Sequence, residues 1–173
     1  MNIEKYLIKS INCLKNRDVK GLRKIAADAT DDAAVEQHRE TILISLIDYS
    51  LSKILSKLHY DMPESLVNGI MENMQKTIDS PDEEKLKYLE LIEKDIIGFD
   101  AQHGNYENNI MDKARIKKAA KLYEKGLSLR QAADIAGASS SEVQDFVGKS
   151  KIYESIKPGD LKSRLDAARG ILQ

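Results

Sequence analysis

The chain has few of the residues that break helices or cross-link a fold. Cys13 is the single cysteine, so an internal disulfide and a cysteine-based zinc site are both excluded. Only three prolines and nine glycines occur in 173 residues, and Lys, Glu, Leu, Ile and Ala are abundant, a composition that favours helices. No segment shows sustained alternation of apolar and polar residues. The sequence therefore predicts an all-α fold with little or no sheet.

Long apolar runs are missing as well. The most apolar stretch, residues 41–47, is too short to span a bilayer. The first sixteen residues are charged and amphipathic, without the pattern of a secretory signal. These features predict a cytoplasmic protein that has no membrane partner.

The residue patterns of the common catalytic and cofactor sites are also missing from the sequence. The three histidines, His38, His59 and His103, are scattered and have no second ligand at metal-site spacing. The sequence contains no phosphate-cradling glycine loop and no motif around a Ser, Cys or Lys nucleophile. We therefore expect a protein that is not an enzyme, with no cofactor and no bound metal.

The amino-terminal region, residues 1–98, has the periodicity of a helical bundle. Its longest predicted helix covers about residues 32–59 and carries an apolar seam at alternating spacings of three and four: Ile44, Ile47, Leu51, Ile54 and Leu58. Such a seam suits a partner surface, so we expect the bundle to serve dimerisation, giving a homodimer, or the binding of another protein. The fifth helix is predicted to end at Gly98. The polar residues 99–109 that follow are predicted to be a linker loop.

Residues 127–146, LSLRQAADIAGASSSEVQDF, form the most informative segment. Ser128 and Gln131 have the spacing of a capping box, and Ser139 and Glu142 repeat it eleven residues later. Gly137 lies between them, where a chain leaving one helix needs a left-handed residue. The pattern predicts two short helices joined by a tight turn.

Several positions of this segment carry a resemblance to a known family. Ala133 precedes the turn residue Gly137 by four positions, and apolar residues follow at Ala138, Val143 and Phe146. In these positions residues 127–148 resemble a prokaryotic repressor-type helix-turn-helix, and residues 119–137 resemble the same unit of antitoxin-like proteins. The resemblance implies that residues 110–173 form a DNA-binding domain, ending in a further helix after about Asp160. It also implies a transcriptional regulator whose second motif helix enters the major groove of duplex DNA.

The resemblance and the charge pattern together nominate the residues that would contact DNA. Residues 1–111 carry a net charge of −6 and residues 112–173 a net charge of +5, so a basic binding module on an acidic body is expected. Base contacts are expected from one face of the second motif helix, namely Ser139, Ser140, Ser141 and Gln144. Phosphate contacts are expected from basic residues around both motif helices and from a lysine stripe on the preceding helix: Arg130, Lys149, Lys151, Lys113, Lys117 and Lys121. Gln131 is a further candidate for DNA contact.

The same surface leaves an alternative open. The groove-facing residues of the second motif helix include no Arg or Lys, and Asp145 would be repelled by phosphates. The motif is therefore also compatible with a non-enzymatic adaptor, in which it packs against or binds a protein partner. A weaker alternative is RNA binding through the lysine stripe, for which the scattered aromatic residues offer few stacking platforms.

Overall fold

The computed structural model describes residues 3–57, 61–103 and 109–155, with side chains described as far as residue 149. Within these ranges the chain forms α-helices and no strand, which confirms the all-α fold. The helices, in chain order, are α1 (Ile3–Lys15), α2 (Val19–Glu36), α3 (Arg39–Leu55), α4 (Glu64–Asp79), α5 (Asp82–His103), α6 (Ile110–Glu124), α7 (Leu129–Ala136) and α8 (Ser140–Ser155). The helix predicted after Asp160 lies outside the described residues.

Helices α1–α5 surround one large apolar core, to which α3 contributes along most of its length. The described residues of the predicted seam, Ile44, Ile47, Leu51 and Ile54, are each at most 1% exposed. They pack inside the chain's own core with residues of α1, α2, α4 and α5. The expectation that this seam forms a surface for a second copy is therefore wrong, because its apolar area is already buried within the monomer. Leu58 lies outside the described residues, and the homodimer itself stays a prediction.

The boundary between α2 and α3 lies later in the chain than the periodicity indicates. Helix α2 continues to Glu36, and Gln37 ends it in the left-handed conformation, with φ of 56° and ψ of 28°. Asp32, the predicted start of the third helix, instead lies within α2 and accepts a 2.5 Å hydrogen bond from the Tyr6 hydroxyl. The contact with α1 keeps this part of the chain in the second helix.

Helix α5 does not end at Gly98, so the predicted linker over residues 99–109 is wrong for residues 99–103, which are helical. Phe99 and Asp100 are buried, and Asp100 Oδ2 accepts a 2.7 Å hydrogen bond from the Ile110 backbone N–H at the start of α6. Packing of these two side chains offsets the low helix propensity of Gly98, which is only about 1 kcal/mol below that of alanine. Residues 104–108 lie outside the described residues.

Helix α6 joins the two halves of the chain. Its first residues, Ile110, Met111 and Ala114, belong to the same core as α1–α5, here called the N-terminal core. Its later residues join α7 and α8 in a second cluster, here called the C-terminal core, which also includes Ala33 of α2 and Ile42 of α3. Helix α6 therefore contributes to both cores, and two residues of the bundle lie in the C-terminal core. In the described part of the chain no helix is long and apolar enough to cross a membrane.

Candidate nucleic-acid interface

Helix α7 begins and ends as its sequence predicts. The Ser128 Oγ accepts a 3.2 Å hydrogen bond from the Gln131 backbone N–H, and Gln131 Oε1 accepts one of 3.2 Å from the Ser128 backbone N–H. These reciprocal bonds form the capping box. Gly137 ends α7 in the left-handed conformation, with φ of 67° and ψ of 35°. The next residue, Ala138, donates from its N–H to the Ala133 carbonyl at 2.9 Å, which turns the chain towards α8.

Small residues let α7 pack closely against its neighbours. Ala132, Ala133 and Ala136 are at most 2% exposed. They lie in the C-terminal core with Val143 of α8 and Leu122 of α6. Because alanine adds only one carbon to the backbone, the helices can approach closely with no large side chain between them. This packing fixes the position of α8 relative to α6.

The second capping box predicted for the start of α8 does not form. The Ser139 hydroxyl lies 2.7 Å from the Ser141 hydroxyl rather than bonding to the amides of the first turn. The Val143 backbone N–H donates to the Ser139 carbonyl at 3.1 Å, so the helical hydrogen-bond pattern still begins there. The Ser139 side chain therefore remains at the surface, as do those of Ser141 and Glu142.

The predicted base-contacting residues lie at the exposed start of α8. Ser139, Ser141 and Gln144 are exposed, and Ser140 is half-buried. On the opposite face Val143 is fully buried, while Phe146 and Val147 are partly buried against the C-terminal core. The helix thus presents a polar surface made of short hydroxyl side chains and one amide.

The other predicted contacts from α7 and α8 differ in how free their side chains are. Arg130 is 89% exposed, and its Nε lies 3.8 Å from Asp134, a long surface ion pair. Gln131 is exposed, but its amide oxygen is used by the capping box. Lys149 is exposed near the middle of α8. The side chain of Lys151 lies outside the described residues.

The lysine stripe of α6 is exposed and runs beside α8. Lys113 lines a surface cleft together with Ser139 and Glu142. Lys117 and Lys121 line a second recess together with Phe146 of α8. All three lysines are exposed. Three cations at intervals of one helical turn, about 6 Å, therefore lie next to the helix that was predicted to enter the groove.

Acidic groups interrupt this basic surface. Glu142 and Asp145 are exposed on α8, and Glu124 forms an ion pair of 2.6 Å with Lys121. Residues 110–149 hold eight basic and five acidic residues, a net charge of +3. The cationic character of the surface therefore comes from α6 rather than from α8.

Lys118, which by sequence flanks the stripe, lies inside the protein instead. Its Nζ donates hydrogen bonds of 2.9 Å to the Ala26 carbonyl and 2.9 Å to the Thr30 hydroxyl of α2. Burial lowers the pKa of this ammonium to about 8, although the negative charges of Asp48 and Asp31 partly oppose the change. Lys118 therefore attaches α6 to α2 and cannot reach a phosphate.

A buried carboxyl group lies on α3, near the helix face that carries Lys118. Asp48 is 0% exposed, and its Oδ2 accepts a 2.8 Å hydrogen bond from the Ser10 hydroxyl. Its Oδ1 has no hydrogen-bond partner among the described residues. Burial raises the pKa of Asp48 to about 8, against the opposing effects of the Ser10 hydrogen bond and the Lys118 charge. No local sequence pattern indicated this group, because its surroundings come from α1 and α6.

Comparisons with other proteins do not add to these observations. No family model matches the sequence, no curated protein matches it, and no solved structure matches its fold.

Proposed function

We propose that α6, α7 and α8 form a helix-turn-helix unit that binds duplex DNA, in the role of a transcriptional regulator. The observation that carries the proposal is the exposed lysine stripe of α6 beside the polar start of α8. A helix in the major groove has phosphates along both of its sides. Cations on a neighbouring helix are therefore where backbone contacts would be needed.

The proposed base contacts come from the first two turns of α8. The Gln144 amide can pair with adenine through one donor and one acceptor, and the hydroxyls of Ser139 and Ser141 can serve any base edge. These three side chains are exposed. Such contacts specify sequence but add little long-range attraction.

The proposed phosphate contacts come from the lysine stripe of α6 and from Arg130 of α7. Each phosphate neutralised by a cation releases condensed counterions, so binding weakens as salt rises, with a slope of about 0.9 per contact. The exposed acids Glu142 and Asp145 lower the attraction. We expect specific binding of modest affinity that depends strongly on salt.

The test is a fluorescence-anisotropy titration of the full chain against a selected duplex and a random duplex pool, at several salt concentrations. Replacing Lys113, Lys117 and Lys121 together by Gln should weaken binding to both duplexes and flatten the salt dependence. The matched control replaces the exposed lysines of α1, Lys5, Lys9 and Lys15, together by Gln, and should bind as the wild type does. Equal salt slopes for the triple variant and the control would contradict the assignment of the stripe.

A second set of variants separates specificity from general attraction. Gln144→Ala should cost about 1–3 kcal/mol on the selected duplex and little on the pool. Arg130→Ala should weaken both duplexes alike and lower the salt slope by about one. If the wild-type protein shows no salt-sensitive affinity for any duplex, the DNA proposal fails.

The exposed acids of α8 favour one other candidate function. Glu142 and Asp145 lie beside Gln144 on α8, which has no Arg or Lys before Lys149, and this face of the helix suits a basic protein better than a phosphate chain. In this adaptor function the α7–α8 pair would bind a protein partner. The variant Asp145→Lys separates the two, because it should strengthen binding to DNA and weaken binding to a basic protein surface.

A further inference from the structure

Helices α2, α3, α6 and α8 enclose a recess around Tyr49, here called the Tyr49 recess. Its volume is about 360 Å³, within the range of about 300–1,000 Å³ that is typical of small-molecule sites. Ala27, Ala120, Tyr49 and Phe146 contribute to its lining, which is mostly apolar. The recess therefore has the size and the character of a site for an organic molecule with an apolar body.

Three ammonium groups surround the aromatic ring of this recess. The Nζ atoms of Lys53, Lys117 and Lys118 lie 5.5, 5.9 and 5.3 Å from the centre of the Tyr49 ring. Lys117 Nζ also donates a 3.2 Å hydrogen bond to the Tyr49 hydroxyl. The Lys118 side chain is 8% exposed, and low solvent exposure strengthens the effect of its charge on anything nearby.

The walls of the recess carry more positive than negative charge. Arg23 of α2 and Lys117 and Lys121 of α6 line it, and all three are exposed. Among the described residues of the lining Glu124 is the single acid, and it forms an ion pair of 2.6 Å with Lys121. After that pair is counted, the positive charges of Arg23, Lys117 and Lys118 remain unbalanced within the lining.

We propose that the Tyr49 recess binds a small organic anion, in which an aromatic or aliphatic body packs between Tyr49 and Phe146 and a carboxylate faces Arg23 and Lys117. The apolar walls remove the body of the ligand from water. The guanidinium and ammonium groups supply charge-assisted hydrogen bonds to the carboxylate. A neutral ligand of the same shape would lose those bonds, and a cation would be repelled.

The charge of the carboxy-terminal residues 156–173, which lie outside the described residues, does not suit this site. Residues 156–173 carry four basic and two acidic residues, so their net charge has the same sign as the recess. Charge complementarity thus favours a separate anion over this segment. An anion bound here would also occupy Lys117 and would compete there with a DNA phosphate, a consequence that alone rests on the proposed function.

The experiment uses the full chain without DNA, so that its outcome is independent of the DNA-binding test. The probe is 2-naphthoate, and its neutral analogue 2-naphthalenemethanol is the matched control ligand. Calorimetry or NMR titration should show saturable one-to-one binding of the naphthoate, with shifts of Tyr49 and Phe146 resonances. The neutral analogue should bind at least about tenfold more weakly, because charge-assisted hydrogen bonds are lost.

Two variants locate the binding site. Arg23→Glu reverses a wall charge, and Ala27→Leu fills the recess while keeping a good helix former; each should weaken naphthoate binding at least about tenfold. Lys24→Glu makes the same charge change at an exposed position of α2 outside the lining and should change the affinity less than about twofold. Circular dichroism checks that each variant is folded. The proposal is overturned by absence of saturable naphthoate binding, by equal affinity for the alcohol, or by wild-type affinity in both recess variants.

Discussion

The N-terminal and C-terminal cores are built from side chains of different size. Among the buried residues of the N-terminal core only two of 23 are alanines, and the rest are almost all Ile, Leu and Met. In the C-terminal core six of ten are alanines. A core of large aliphatic side chains is stabilised by the area that it removes from water, at about 25 cal/mol per Å². An alanine core removes little area and depends on close fit.

This difference explains why the C-terminal helices lie against the bundle. Ile42 of α3 and Ala33 of α2 complete the C-terminal core. Lys118 adds two buried hydrogen bonds to α2, and Lys125 adds an ion pair of 2.8 Å to Asp31. Helix α7, which has only eight residues, obtains from Ile42 of the bundle an apolar contact that its own alanines lack, and α8 is held in turn by α6 and α7.

The first and largest effect is expected from truncation in the N-terminal core. Leu51 is 0% exposed, and Leu51→Ala should lower the free energy of unfolding by about 3–5 kcal/mol through lost burial and a cavity. Urea denaturation followed by circular dichroism measures the change. A loss below about 1 kcal/mol would show that the N-terminal core collapses into the cavity, so that its stability does not depend on its large aliphatic side chains as proposed.

The converse change should break the C-terminal core. Ala133→Leu adds three carbons at a fully buried position of α7, and overpacking should cost about 1–3 kcal/mol. Urea denaturation gives this loss, and hydrogen exchange should be fastest in α6–α8 of the variant. Ala101→Leu, at an exposed position of α5, is the matched control and should be nearly neutral. Tolerance of leucine at position 133 would mean that the alanine core is loosely packed.

A pH titration tests the region between the cores, where Asp48 and Lys118 are buried. The pKa of Asp48 is about 8 in the folded protein, compared with about 3.9 for an ordinary aspartate. Between these values the folded state holds a proton that the unfolded state has released, so stability falls as pH rises. Asp48→Asn should remove this effect. The free energy of unfolding of the variant should therefore rise relative to that of the wild type by about 1.4 kcal/mol per pH unit.

The comparison is made by urea denaturation between pH 5 and 7. Because the pKa of Lys118 is lowered to about 8, most of its ammonium groups keep their proton throughout this window. Groups that titrate in both proteins cancel in the difference. Parallel stability profiles for the wild type and Asp48→Asn would show that the carboxyl group is ionised inside the fold.

The smallest effect distinguishes joint from separate unfolding of the two regions. Gly69 in α4 and Gly148 in α8 are helical, and a methyl group added at either meets no atom within 4 Å. Each change to Ala should therefore stabilise its helix by about 0.5–1 kcal/mol. If the cores unfold together, as their shared helix predicts, calorimetry should show one transition raised similarly by both variants. A second transition that moves only in Gly148→Ala would indicate separate unfolding.

The parts of the interface that depend on neighbouring residues were predictable. The Ser128–Gln131 capping box and the left-handed Gly137 follow from hydrogen bonds and steric limits within a few residues. The exposure of Lys113, Lys117 and Lys121 follows from helical periodicity along α6. The prediction that α5 ends at Gly98 was wrong, because the low helix propensity of glycine is offset by the packing of Phe99 and Asp100.

The sequence by itself determined the helical character of the chain, the turn at Gly137 and the polar start of α8, since these depend on interactions inside one helix or turn. Only the tertiary structure decided that the seam of α3 is internal, that Lys118 is buried and that Tyr49 faces a recess. The physical reason is sequence distance. The Lys118 ammonium and its acceptor, the Ala26 carbonyl, are 92 residues apart, and no local pattern encodes which helix covers which face.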